Sequence, residues 1–231
     1  FANEFGVFFR EVGPFMPRFN IAPTQKSLVL ANNLSTPQEL TRPGDSNATS
    51  EGMRAMGCIP MRWGLIPSWA KDASIGARLI NARAETVADK PSFRAAFRRR
   101  RCLVPTSGFY EWQKPSAGHA KTAKIPYFIR AKSKRLLTFA GLWEEWTSSE
   151  GELIHSFTIL TTSPNAVMKP LHDRMPVIVN TTDRERWLGS NDPEEVQALL
   201  KPFPDDALEA FPVSTLVNNA RNESPNCIVP A

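Results

Sequence analysis

Proline limits what this chain can fold into more than any other residue. Twenty of its 231 residues are proline, against an average near 5%. Each one fixes φ and removes a backbone donor, so long helices are interrupted and loops, turns and strand edges multiply. A helical bundle is excluded. The apolar segments agree: residues 27–30, 126–130, 136–143, 156–161 and 175–179 are short, rich in β-branched and aromatic residues and bounded by turn residues, which predicts strands. Helices are fewer. Residues 92–101 open on Ser92 as a cap and carry Phe93 and Phe97 four apart. Residues 192–200 have an Asp cap followed by Pro193 and two glutamates. Shorter helices are predicted over 182–188 and 165–171.

Most gaps between strands are too short for helical crossovers, which favours antiparallel pairing. The expected class is therefore α+β: a mixed, mostly antiparallel, bent sheet or partial barrel flanked by short helices, in one domain over residues 1–231. Two polar stretches, 32–52 and 117–124, read as surface loops.

A hydrophobic fraction of 42% with 22% charged residues is ordinary for a folded soluble chain and excludes wholesale disorder. No apolar run approaches a membrane span. The opening Phe1-Ala2-Asn3-Glu4 lacks the basic-then-apolar pattern of a signal peptide. Cys58, Cys102 and Cys227 are odd in number, form no C-x-x-C pair and have no histidine at zinc-ligand spacing. They are expected to be packing residues in a reducing, intracellular setting, cytoplasmic or nucleoid-associated, with no metal and no cofactor.

The net charge of +5 is modest, but its distribution is uneven. Residues 83–101 hold seven cations (Arg83, Lys90, Arg94, Arg98, Arg99, Arg100, Arg101) against Glu85 and Asp89. A basic segment inside a folded domain suits a phosphate-binding face. The alternative is a solvated helix end, where arginines complement the dipole.

Three residues are candidates for acid–base chemistry or its support. Glu111 lies between Tyr110 and Trp112, and aromatic neighbours that desolvate a carboxylate raise its pKa and fit it for proton transfer; the other reading is a wet strand face. His172 sits on a loop entering a strand, because Pro176 biases Met175 to an extended conformation. It is either a proton shuttle or a hydrogen-bonding or capping histidine. Asn81 and Arg83, two apart, face one side of a strand; the first can orient a reactive group and the second can fork onto phosphate. Trp63 and Trp69 flank a proline-containing loop, where an exposed indole can stack on a base and a buried one would be core. His119 and His155 have nothing polar gathered around them and read as ordinary hydrogen-bonding histidines.

Five phrases, Arg-Phe-Asn-Ile-Ala-Pro-Thr (18–24), Trp-Gly-Leu-Ile-Pro-Ser-Trp (63–69), Asn-Ala-Arg-Ala-Glu-Thr (81–86), Cys-Leu-Val-Pro-Thr-Ser-Gly-Phe-Tyr-Glu-Trp (102–112) and His-Asp-Arg-Met-Pro (172–176), resemble the signatures of the SOS-response-associated peptidase (SRAP) family, in the family's order. The resemblance implies an abasic-site sensor that binds single-stranded DNA. It further implies a covalent thiazolidine crosslink through a cysteine exposed when the initiator methionine is removed. By the family's pattern, Asn81 positions that cysteine, Glu111 assists methionine removal and the imine step, and His172 protonates the sugar ring oxygen. Asn20, Pro23, Trp69, Arg83, Thr161 and Arg174 match positions of the family's DNA groove. The family opens Met-Cys-Gly-Arg-Phe and this sequence starts at the matching phenylalanine, Phe1, so the expected nucleophile lies ahead of it. Ala70 departs from relatives that carry a second aromatic there.

The implied partner is single-stranded DNA containing abasic sites, bound by a monomer away from membranes. The rival readings are a noncovalent single-strand binding module, a peptidase acting on its own or other chains, and an unrelated hydrolase using Glu111 and His172.

Overall fold

A computed structural model describes residues 16–32, 57–113 and 124–231. Expectations for Phe1, for His119 and for most of the two polar loops lie outside the described residues. The main sheet is built from β1 (Lys26–Ala31), β2 (Gly57–Trp63), β3 (Asn81–Arg83), β4 (Arg101–Thr106), β7 (Leu137–Thr147), β8 (Leu153–Thr162) and β9 (Met175–Pro176). A second sheet, in the order β10 (Leu208–Pro212), β6 (Ile125–Ala131), β5 (Phe109–Gln113), is antiparallel throughout.

In the main sheet β2, β1, β4, β7 and β8 are neighbours in that order by antiparallel pairing. The ring then closes through a short parallel contact, Arg62 opposite Ser156 and Trp63 opposite Phe157. The result is a partly closed five-stranded barrel in an α+β fold, as the strand lengths and short gaps predicted. Parallel pairing is confined to β2 and β3 against β8, both separated from it in the chain by several other strands.

Alternation along β7 sorts the core. Ala140 and Leu142 face a cluster with Leu103, Phe97 and Trp187, under the helices α1 (Arg94–Arg99), α2 (Arg184–Gly189) and α3 (Pro193–Ala198). Phe139 and Trp143 face the other way, with Met61, Val104, Phe157 and, from the second sheet, Ile129 and Leu208. Alternation along one strand thus packs the barrel against both layers.

The sequence reading named no strand at β2, β4 or β10. It also placed several boundaries differently. Ser92 does not cap α1, whose first turn follows Phe93 without a side-chain cap; buried Phe93, Ala96 and Phe97 fix that helix by packing instead. Residues 165–171 form successive turns, held by Asn165 Oδ1 accepting the Met168 N–H at 3.0 Å. Only Met175–Pro176 of the predicted 175–179 strand pairs as a strand. Asp192 caps α3 as expected, accepting from Glu194 N. All three cysteines are free, with Cys102 and Cys227 buried and Cys58 half-buried; burial pushes the Cys58 thiol up to about 11.

Gly64 ends β2 at φ 118°, a conformation that side chains strain. A Cβ there would lie 2.5 Å from Gly76 O. This close approach sends the chain from the barrel into the turn that carries Trp69.

Candidate active site

Three chain segments converge at the end of β8. β3 lies beside it, Asn81 opposite Ile159 and Arg83 opposite Thr161. Asn81 and Arg83 are exposed on either side of buried Ala82, so the shared face predicted from their spacing exists. On the other side β9 pairs Thr161 and Thr162 with Pro176 and Met175, which brings in the loop with His172. Arg174 ties the two flanks together. Its guanidinium forks onto Glu85, at 2.7 and 2.8 Å, and also donates to the Thr161 carbonyl. That fork holds the Glu85 carboxyl below its ordinary value.

The third segment is β5. Phe109 packs edge-on against Phe139 at 5.5 Å, which seats the strand on the barrel and leaves Glu111 half-buried two residues on. Burial pushes the Glu111 carboxyl above its ordinary value, while the charge of nearby His172 pulls the other way. Glu111 also accepts the Trp112 N–H at 3.2 Å.

His172 Nδ1 accepts the Arg174 N–H at 3.0 Å, so the neutral ring carries its proton on Nε2. Asp173 Oδ1 lies 3.1 Å and the Arg174 carbonyl 3.3 Å from the same Nδ1.

The other predicted residues are distributed unevenly. Pro23 is exposed on a turn. Asn20 is buried, and its amide donates to the Val217 and Asn219 carbonyls, both at 3.1 Å; it fastens the 18–25 segment to the C-terminal turns. Trp63 is core, stacked on Phe157 and donating to Ile80 O at 2.9 Å. Trp69 is 58% exposed.

The Trp69 turn is clamped at both ends by the β7–β8 hairpin. Ser156 Oγ accepts the Ile66 N–H at 2.8 Å, and Trp146 Nε1 donates to Ala70 O at 2.8 Å. If Trp69 stacks on a base, Trp146→Phe should weaken single-strand affinity as Trp69→Ala does, by part of the roughly 1–3 kcal/mol that one stacked base provides. The double variant should be no weaker than Trp69→Ala alone; additive losses in fluorescence anisotropy would refute the clamp.

Sequence reasoning missed four supporting residues. Glu85 stood in a quoted phrase two residues from Arg83, so strand alternation could have found it. Tyr110, whose hydroxyl donates to Phe19 O at 2.6 Å, Glu223, which takes Arg18 and the Phe19 N–H, and Trp146 carried no signal, because each acts on residues far away in sequence. Among the described residues no group of three or more His, Cys, Asp or Glu side chains gathers as a metal site, and no helix is long and apolar enough to cross a membrane.

A half-buried carboxylate on β5 and a histidine on the loop before β9 lie close enough for their charges to interact, and β8 joins that loop to the exposed asparagine and arginine of β3. Residues 1–220 match the family described as SOS response associated peptidase (SRAP). The chain is 42% identical over 218 residues to abasic site processing protein YoqW of Bacillus subtilis, covering 94% of this chain and 87% of that protein. It is 30% identical over 248 aligned positions to abasic site processing protein HMCES of Rattus norvegicus, covering 96% of this chain and 67% of that one. A crystal structure from Bacteroides thetaiotaomicron matches with a TM-score of 0.69 at 32% identity, over 75% of this chain and 77% of that one. The chain belongs to the SRAP family.

Proposed function

We propose that this protein processes abasic sites in single-stranded DNA by forming a covalent crosslink through a cysteine ahead of Phe1. The observation that carries the reading is a half-buried Glu111, its carboxyl raised by burial and lowered by the nearby charge of His172, on the barrel whose β3 exposes Asn81 and Arg83. Relatives named for abasic-site processing support the substrate class.

The chemistry divides among these groups. The sugar of an abasic site is a closed hemiacetal in equilibrium with its aldehyde, and His172 Nε2–H donates to the ring oxygen as the ring opens. The terminal α-amine adds to the aldehyde carbon, and Glu111 moves the proton that lets water leave as the imine forms. The cysteine sulfur then adds to the imine carbon and the nitrogen takes up a proton, closing the thiazolidine. Asn81 orients the amine. Arg83 faces the phosphates, and Trp69 stacks on an adjacent base. Glu111 also serves in removal of the initiator methionine.

The test is a denaturing gel of the protein with Met-Cys-Gly-Arg placed ahead of Phe1, incubated with abasic and intact single strands. A denaturant-stable adduct with the abasic strand alone is expected, and none when that cysteine is replaced by alanine. A chain beginning at Phe1 that forms an equally stable adduct would refute the mechanism. No adduct, with retained affinity for single strands, would favour the noncovalent binding reading.

A further inference from the structure

The basic run of residues 83–101 does not form one surface. Arg101 is buried, and Arg100 is paired with Glu144 at 2.5 Å. Arg83 belongs to the site. What remains is Lys90, Arg94, Arg98 and Arg99, all exposed.

Three of them share one face for a structural reason, with Arg99 beside it. The chain winds helically before α1 begins, because Arg94 N–H donates to Lys90 O and Phe97 N–H to Phe93 O. Lys90, Arg94 and Arg98 are therefore spaced four apart, one stripe on a helical surface. The opposite side holds Phe93, Ala96 and Phe97, buried against the barrel and α2, so the helix cannot turn its cations inward. Between the cations the exposed residues are Pro91 and Ala95, too small to obstruct an approaching backbone. Asp89 is the acid at the edge of the stripe. Among the described residues none of the four cations has an ion pair or a side-chain hydrogen bond.

The stripe joins the site without a break. Thr86 N–H donates to Arg83 O, and Lys90 N–H donates to Thr86 O, so two tight turns separate Arg83 from Lys90. From Lys90 to Arg98 the rise is about 12 Å at 1.5 Å per residue, long enough for the stripe to meet more than one phosphate of a strand.

We propose that this face of α1 is a phosphate track, holding the DNA backbone that flanks the lesion while the Glu111–His172 site holds the lesion itself. The proposal rests on the DNA reading above and extends it. The track adds affinity and footprint length and takes no part in bond making, since its cations touch none of the reacting groups. Long basic side chains on a helix reach phosphates without reading bases, so it confers no sequence preference.

The test measures anisotropy of the chain as it stands with two abasic single strands, one filling only the site and one extended on both sides. The protein with Arg94→Ala and Arg98→Ala is compared with the parent. For the extended strand the log–log salt slope should become shallower by about 1.4, at about 0.7 per phosphate contact. The fall in its affinity between 50 and 200 mM salt should be smaller by roughly sevenfold. The short strand should bind both proteins alike. Equal slopes on the extended strand would overturn the track, as would the same loss on both lengths. Failure of the parent to bind either strand would overturn the DNA reading together with it. A thermal melt guards the comparison: both arginines lie on the exposed face and alanine favours helix, so the two melts should coincide.

Discussion

Replacing His172 with alanine is expected to slow adduct formation by about 10²–10⁴-fold, the usual loss for one positioned general acid. Affinity for single strands should change little, because in the proposed mechanism the imidazole acts on the ring oxygen and not on phosphate. Glu111→Gln removes the proton acceptor, so methionine removal and imine formation should both fall while binding remains. The same substitution is expected to stabilise the fold near neutral pH. Burial raises the Glu111 carboxyl, so the folded state favours the protonated form. Its contribution to stability is complete below the ordinary glutamate value of about 4.3 and is lost as pH rises through the folded value. The advantage of Glu111→Gln should therefore grow through that window, level off above it and vanish below it. Urea titrations at several pH values read this directly, and a variant less stable than the parent at neutral pH would contradict the burial argument.

How far the site was legible depends on the range of the interaction that makes each residue what it is. Asn81 and Arg83 were placed on one face by a spacing of two, a property of a single strand. Glu111 was singled out by its aromatic neighbours, but its state is set by Phe109 seating β5 on Phe139, and by His172, sixty-one positions away in the sequence. Asn20 matched a groove position and is buried, because the carbonyls it serves belong to Val217 and Asn219. Nothing near Asn20 in the sequence announces that pairing. The barrel follows the same rule. The strands β1, β6, β7 and β8 came from local pattern, whereas β2 and β4 were not read as strands and closure came from the Arg62–Ser156 and Trp63–Phe157 contact between β2 and β8, which no local pattern encodes. The short β10 was missed because Leu208–Pro212 ends on a proline and has no β-branched residue; it is a strand because β6 offers it an edge.

Arg101 and Arg98 look equivalent in the sequence, and their replacement by alanine should differ more than that of any other pair in the run. Arg101 is 8% exposed. Its guanidinium donates to the carbonyls of Phe97, Arg98, Trp187 and Ser190 and lies 5.7 Å over the Trp187 ring. The first two acceptors are at the end of α1, where carbonyls have no helical partner. The last two are the end of α2, so one side chain caps both helices and joins them. Removing it strands several buried acceptors, at about 1–3 kcal/mol each, and opens a gap beside Trp187. The expected loss is about 4 kcal/mol or more, a large share of the roughly 5–15 kcal/mol that holds a domain folded. Lysine cannot restore it, since an ammonium lacks the planar fork that reaches four carbonyls on two helices. Arg98→Ala should stay within about 0.5 kcal/mol, as for other exposed positions without partners. Urea denaturation of the two alanine variants decides the matter. Comparable small losses would mean that Arg101 is dispensable to the helix pair and free to join the basic surface. A collapse confined to Arg101→Ala would establish that the last cation of the run is a structural brace, and that the phosphate-facing charge ends at Arg99.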